Sequence, residues 1–155
     1  MIRAIIDTNV IFSALYNPRS SPGIILLSAI EGLIKLIAPE SVKDEIIQIL
    51  KEKLEFSDEE AHSIISSLPI EWVEKEVYED YLAEAREMIR DETDAPLIAL
   101  HLITNYPIIT GDKEILGTEL RAYTPSSYIK KLIEEGILEK KRVEEMLTDI
   151  NKFLP

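Results

Sequence analysis

The feature that most constrains this fold is a short apolar run near the N-terminus that ends abruptly in polar residues. Residues 2–6 are apolar apart from Arg3, which indicates a strand buried on both faces of a parallel sheet. Asp7 follows this run directly. A carboxylate at the mouth of a buried strand is costly unless its desolvation is offset, and open α/β sheets bind ligands at that edge. We therefore interpret Asp7 as the first residue of a functional site.

Short apolar segments alternate with amphipathic segments along the rest of the chain. Further strands are predicted at residues 36–38, 70–73, 107–110 and 120–123. Helices are predicted to begin near Ser21, Ser41, Ser57, Pro96 and Pro125. This alternation predicts one α/β domain over residues 1–155, with a central, mostly parallel sheet flanked by helices as an α/β/α sandwich.

Two further helices are predicted in the second half of the chain. The first covers Tyr78 to Arg90, with buried side chains expected at helical spacing: Tyr81, Leu82, Ala85, Met88 and Ile89. The second covers Glu139 to Phe153, so residues 137–155 are expected to add a C-terminal helix to the domain.

The composition excludes several classes of site and location. The sequence contains no cysteine, which excludes disulfides, thiolate metal sites and cysteine nucleophiles. No apolar run approaches the roughly 20 residues of a membrane-spanning helix. Met1 leads into a strand and not into a secretory signal. A cytoplasmic location without membrane association is the expectation that remains.

The net charge of −12 restricts how the protein can bind a nucleic acid. Proteins that bind a phosphate backbone through their own lysines and arginines are usually basic. If this chain binds a polyanion, divalent cations or a partner must supply positive charge locally. Most of the 29 acidic residues are expected to solvate helix faces.

Three later acids lie at positions comparable to that of Asp7. Asp112 follows a predicted strand, Asp94 precedes a helix, and Glu45 lies in the first turns of another helix. Right-handed crossovers bring strand ends to one edge of a parallel sheet, so we expect the four acids to converge. Clustered carboxylates repel one another, and Mg²⁺ or Mn²⁺ relieves that repulsion through the oxygen ligands it prefers. Such a centre suits phosphodiester hydrolysis, in which the ion activates a water.

The predicted acids also have structural explanations. Asp94 lies where a helix cap is expected, and aspartate is a preferred cap. Glu40 and Asp44 compete with Glu45 for the place on the second predicted helix. Asp91 either solvates its loop or supports the other acids.

Small polar residues beside the acids are candidates to orient carboxylates or metal-bound waters. They are Thr8, Asn9 and Thr110. Thr8 and Asn9 also suit a turn, and Thr110 suits a strand. Lys113, next to Asp112, is a candidate for steering a substrate phosphate.

In combination these segments resemble the PIN-domain ribonucleases. The family's opening, a buried strand ending in Asp-Thr-Asn-Val, stands at residues 7–10, and its Thr-Gly-Asp-Lys motif stands complete at residues 110–113. The family's helix glutamate matches Glu45, and its third acid, followed by a helix, matches Asp94. The resemblance covers roughly residues 2–132. The order of these motifs along one chain is more specific than any of them alone.

The resemblance implies a single PIN-like domain that cleaves single-stranded RNA with a divalent metal. Its catalytic metal ligands would be Asp7, Glu45, Asp94 and Asp112. Members of the family, such as VapC-like toxins, are often the toxins of toxin–antitoxin pairs, inhibited by a small cognate antitoxin protein, and commonly form homodimers. The predicted C-terminal helix departs from the shortest members, which bears on the dimer and the partner and not on the site.

Two other functions compete with this interpretation. A phosphatase of the haloacid-dehalogenase type also begins with a strand-end aspartate, but it needs a second acid two residues later, where this chain has Asn9. A catalytically silent PIN-like scaffold, serving in protein interaction or regulation, would lack one or two of the acids. All four are present, so the sequence favours a ribonuclease.

Overall fold

The computed structural model describes residues 1–148, and within them five parallel strands form the centre of the molecule. The strands are β1 (Ile2–Ile6), β2 (Ile34–Pro39), β3 (Ile70–Val73), β4 (Ile108–Ile109) and β5 (Ala122–Tyr123). Their order across the sheet is β3-β2-β1-β4-β5, and each neighbouring pair is parallel. The predicted α/β class with a central parallel sheet is confirmed.

Helices lie in the connections between these strands and after β5. They are α1 (Thr8–Tyr16), α2 (Ser21–Ile30), α3 (Glu40–Lys53), α4 (Asp58–Ser67), α5 (Lys75–Tyr78), α6 (Leu82–Met88), α7 (Ala95–Thr104), α8 (Lys113–Leu116), α9 (Pro125–Glu134) and α10 (Lys140–Thr148). Within the described range, none of them is long and apolar enough to cross a membrane. The end of the predicted C-terminal helix, residues 149–155, lies outside the described residues.

The direction in which the chain adds strands reverses beside β1. The chain moves from β1 to β2 and β3 in one direction, and then returns to place β4 and β5 on the other side of β1. With right-handed crossovers, this order places helices on both faces of the sheet. It also makes the carboxyl ends of β1 and β4 a topological switch point, the place where open α/β sheets bind ligands.

Strand β1 is enclosed on both faces, as its apolar sequence predicts. Ala4, Ile5 and Ile6 have no exposed surface, and Ile5 pairs with Ile37 on one side and with Ile108 on the other. A shift of one residue would turn every buried side chain of the strand to the opposite face, so this register is strongly specified. The register in turn fixes where Asp7 leaves the sheet.

The prediction of one continuous helix from Tyr78 to Arg90 is wrong. The chain forms α5, then a 3₁₀ turn at Glu79–Tyr81, and then α6, which ends at Met88. Tyr81 and Met88, which were expected to be buried, are 36% and 38% exposed. A 3₁₀ turn has three residues per turn and not 3.6, so it changes the phase of the helical face. This change of phase accounts for Tyr81, which lies in the turn, whereas Leu82, Ala85 and Ile89 after the turn are buried as expected.

Candidate active site

Asp7 lies at the carboxyl end of β1 and accepts hydrogen bonds from three donors. The Thr8 backbone N–H donates to Oδ1 (2.7 Å). The Asn9 side-chain amide and the Thr110 hydroxyl donate to Oδ2, at 3.1 and 2.7 Å. Only 5% of Asp7 is exposed. Burial raises the pKa of its carboxyl, although the hydrogen bonds from Thr110 and Thr8 oppose that rise.

Thr110 and Asn9 connect the end of β1 to the loop that follows β4. The buried Thr110 hydroxyl donates to Asp7, and the same oxygen accepts the backbone N–H of Asp112 (3.0 Å). The Asn9 amide nitrogen donates to Asp7, while its oxygen accepts the backbone N–H of Gly111 (3.0 Å). The two side chains therefore fix the strand-end acids Asp7 and Asp112 relative to each other.

Asp112 begins α8 and accepts the backbone N–H of Glu114 at Oδ1 (2.8 Å). Its negative charge raises the pKa of both Asp7 and Asp94. The three carboxyls are therefore close enough for their charges to interact. Lys113 is exposed and forms no ion pair with an acid in the described part of the chain. Its side chain therefore does not neutralise these acids, and its contact with substrate stays a prediction.

A cavity of about 230 Å³ opens beside Asp7, and Glu45 and Asp94 line it as well. Glu45 is exposed on α3, and its charge also raises the pKa of Asp7. Glu40 and Asp44, the competitors of Glu45, do not line this cavity. Of the acids near the start of α3, Glu45 is therefore the one that belongs to the site.

Asp94 has no structural partner that explains its position. It occupies the N-cap position of α7, yet its side chain accepts no capping hydrogen bond, so helix capping does not account for it. Its Oδ2 is buried and has no hydrogen-bond partner among residues 1–148. Desolvation raises the pKa of this carboxyl to about 7, together with the negative charges of Asp7, Asp112 and Asp91. Only in its protonated form can Asp94 donate to the Asp112 carboxylate.

Asp91 has a local role as the cap of the 3₁₀ turn Glu92–Asp94. Its Oδ1 accepts the Thr93 hydroxyl (2.8 Å) and the Thr93 backbone N–H (3.0 Å). These two hydrogen bonds lower the pKa of Asp91, and the negative charge of Asp91 raises the pKa of Asp94. Asp91 therefore acts on Asp94 through its charge, while its own Oδ1 is held by Thr93.

The site offers negatively charged carboxylate oxygens, but these oxygens are not arranged around one point as the ligands of a metal ion are. Across residues 1–148, no group of three or more acidic or histidine side chains is arranged to hold a metal ion. The unpartnered Oδ2 of Asp94 and the raised pKa values fit a hard cation. In the same range, no lysine or arginine forms an ion pair with any of the four acids. A cation there would require at least one carboxylate to reorient.

Comparison with known proteins identifies the family. Residues 5–147 match the family model of the PIN domain. The chain belongs to the PIN-domain family. This family consists of nucleases, in agreement with the resemblance in the sequence.

A solved structure with the fold of this PIN domain is that of VapBC2 from Rickettsia felis bound to a DNA fragment from their promoter. The match has a TM-score of 0.61 at 17% sequence identity, and it covers 79% of this chain and 98% of the other. No curated protein matches the chain. At this identity the similarity establishes the fold alone.

The sequence analysis missed two polar residues of this site. Ser41 and Thr93 line the cavity together with the acids. Ser41 lies four residues before Glu45 and so on the same face of α3, a spacing that could have identified it. Thr93 gave no comparable signal, because its position depends on the 3₁₀ turn that Asp91 caps.

Replacing Thr110 by valine should destabilise the PIN domain, because it removes, at nearly constant volume, a hydroxyl that forms one buried and one partly buried hydrogen bond. We expect the free energy of unfolding to fall by about 1–3 kcal/mol, the cost of leaving a buried polar group unsatisfied. Urea unfolding measures this change. Thr110→Ser keeps the hydroxyl and is the matched control. A valine variant as stable as the wild type would show that this hydroxyl does not hold the two strand ends together.

The metal-free PIN domain should lose stability as the pH rises from about 5 to about 8. The pKa of Asp94 is about 7 in the folded state against an ordinary 3.8, so the folded state binds the extra proton over this range. That advantage is lost as the pH rises through the folded-state pKa. Thermal melts in EDTA measure the effect.

Asp94→Asn is the control for this pH dependence. The amide carries no charge and can donate a hydrogen bond, so the variant should show a flatter pH dependence and exceed the wild type in stability at alkaline pH. A wild type that melts higher at the alkaline end, without metal, would contradict the raised pKa.

Proposed function

We propose that this PIN domain is a metal-dependent endoribonuclease that hydrolyses phosphodiester bonds of single-stranded RNA with Mg²⁺ or Mn²⁺. The observation that carries the proposal is the buried, unpartnered Oδ2 of Asp94 beside a cavity shared with Asp7 and Glu45. An anionic oxygen that is buried without a donor is unstable until a proton or a cation meets it. A protein with a net charge of −12 also needs positive charge at the point where a phosphodiester enters.

The residues that would hold the ion are Asp7, Glu45, Asp94 and Asp112, because all four offer the carboxylate oxygens that hard cations prefer. The ion, when bound, lowers the pKa of a coordinated water and stabilises the charge that develops on the leaving oxygen. Thr110 and Asn9 hold Asp7 from the side of β4, and hydrogen bonds from such donors favour the ionised carboxylate. These two residues thereby keep Asp7 oriented and counteract its desolvation.

We further propose that the chain acts as the toxin of a toxin–antitoxin pair. The fold similarity to VapBC2 from Rickettsia felis supports an antitoxin as its protein partner. The charge of −12 supports a partner with a basic binding segment, because complementary charge speeds and orients association. The homodimer stays a prediction from the family resemblance, and the cytoplasmic location stays a prediction from the sequence.

The phosphatase alternative requires an acid at position 9 as proton donor. Asn9 has no acidic group, and both ends of its amide are engaged, one with Asp7 and the other with Gly111. A catalytically silent scaffold would lack one or two of the acids, whereas all four are present here, and a purely structural role does not account for them. Asp94 has neither a capping hydrogen bond nor an ion-pair partner in the described part of the chain, which argues against it.

The purified protein should cleave a labelled single-stranded RNA in Mg²⁺ or Mn²⁺ and lose that activity in EDTA. Glu45→Gln should lower kcat on the order of 100-fold, since a metal ion supplies several kcal/mol of transition-state stabilisation. Asp44→Asn removes the neighbouring charge on α3 outside the cavity and is the matched control, expected within about twofold of the wild type.

Asp7→Asn and Asp112→Asn should abolish cleavage in the same assay. Full activity in EDTA would overturn the proposal. Hydrolysis of small phosphomonoesters with inert RNA would replace it by the phosphatase. A chain that hydrolyses neither substrate and whose melting temperature is unchanged by metal would establish the scaffold.

A further inference from the structure

A second cavity lies next to the candidate active site and has two exposed arginines in its lining. Arg86 and Arg90, four residues apart, line an open groove of about 580 Å³ whose lining also contains three acids, Glu87, Glu92 and Glu114. We call it the arginine groove. Its volume lies within the range of about 300–1,000 Å³ that is typical of sites for small organic ligands.

Glu114 joins the arginine groove to the acids of the site. Its backbone N–H donates to the Asp112 carboxylate (2.8 Å), and its own carboxylate accepts the backbone N–H of Arg90 (3.1 Å). On another side, Glu92 follows Asp91 in the 3₁₀ turn that leads to Asp94. The arginine groove therefore directly adjoins the acids that would hold the scissile phosphate.

The arginines of the groove are available to an external anion. The Arg90 side chain is 97% exposed, and its Nε lies 3.9 Å from Glu114 Oε2, at the outer limit of an ion pair. An exposed pair of this kind contributes about 0–1 kcal/mol, so a phosphate can displace it at little cost. Arg86 forms no ion pair within residues 1–148. A guanidinium group binds phosphate oxygens in a bidentate geometry.

Four other basic side chains of the described chain are engaged in ion pairs away from the groove. Lys35, Lys51, Lys131 and Arg142 form ion pairs with acids elsewhere in residues 1–148. The groove also contains Met88, which is 38% exposed and offers a polarisable apolar surface to a base. Cationic and apolar groups thus lie side by side next to an acidic centre that on its own repels a phosphodiester.

We propose that the arginine groove binds the nucleotide next to the scissile bond of a single-stranded RNA, with Arg86 and Arg90 on its phosphate and Met88 against its base. The inference rests on the proposed ribonuclease function and adds a substrate-binding surface to it. Phosphate contacts position a substrate without selecting its sequence, so the groove contributes affinity and orientation.

The test measures how salt weakens the binding of a labelled single-stranded RNA, by fluorescence anisotropy in Mg²⁺, with Asp94→Asn as a non-cleaving background. Adding Arg86→Gln and Arg90→Gln should make the slope of log affinity against log salt shallower by about 0.7, since both arginines contact one phosphate and each phosphate contact on a single strand contributes about 0.7. Lys140→Gln with Lys141→Gln removes the same charge from α10 and is the matched control. Helix α10, which carries these two lysines, packs on α2. Its Arg142 forms an ion pair with Glu31, the residue that caps the C-terminus of α2 just before β2.

In the cleaving protein the arginine double variant should raise KM about tenfold, with kcat unchanged, because the groove acts in binding and not in the chemical step. Glu114→Gln should have the opposite effect and tighten RNA binding. It removes the charge that competes for Arg90 and keeps an oxygen for the Arg90 backbone N–H. Melting temperatures verify that all variants fold.

The outcomes separate this inference from the proposed function. If the wild type cleaves RNA and the arginine and lysine variants show the same slope and KM, the groove is overturned and the nuclease stands. If the wild type cleaves no RNA with either metal but the slope still depends on the arginines, the nuclease is overturned and the groove stands as an RNA-binding surface.

Discussion

The structure of this PIN domain depends on how a buried carboxylate is held at the end of its central strand. Asp7 leaves β1 with almost no exposure to water, and desolvation alone would drive it toward the neutral form. Thr8, Asn9 and Thr110 supply three hydrogen bonds that oppose this. Two of these donors also bind the loop after β4. The same contacts therefore hold the Asp7 carboxyl in place and connect the ends of β1 and β4 at the switch point of the sheet.

The neighbouring acids make this arrangement costly for the metal-free protein. Asp94 is raised in pKa by desolvation and by the negative charges around it, and no donor meets its inner oxygen in the described chain. Like charges held in a low-dielectric setting store unfavourable energy that a cation would release. Local arrangements that lower the stability of the folded protein in this way are characteristic of functional sites. The PIN-domain family and the placement of the acids thus lead to the same proposed chemistry by separate routes.

Much of the fold and of the candidate site could be predicted because the signals are local. The apolar run before Asp7 identifies a buried strand, and the polar residues directly after the predicted strands mark the edge where ligands bind. The failures came where tertiary structure interrupts a local pattern. The 3₁₀ turn at Glu79–Tyr81 interrupts the predicted helix and leaves Tyr81 exposed. Asp94 was open to explanation as a helix cap until its side chain proved to have no capping bond.

The sequence by itself determined the class of fold and the order of the strand-end motifs, because buried strands and polar strand ends are written in consecutive residues. Only the tertiary structure decided that Glu45 and not Asp44 faces the cavity, and that Thr110 bridges Asp7 and Asp112. It also placed the arginine groove beside them. These relations join residues that are distant along the chain, and they exist only once strand order and register bring the segments together.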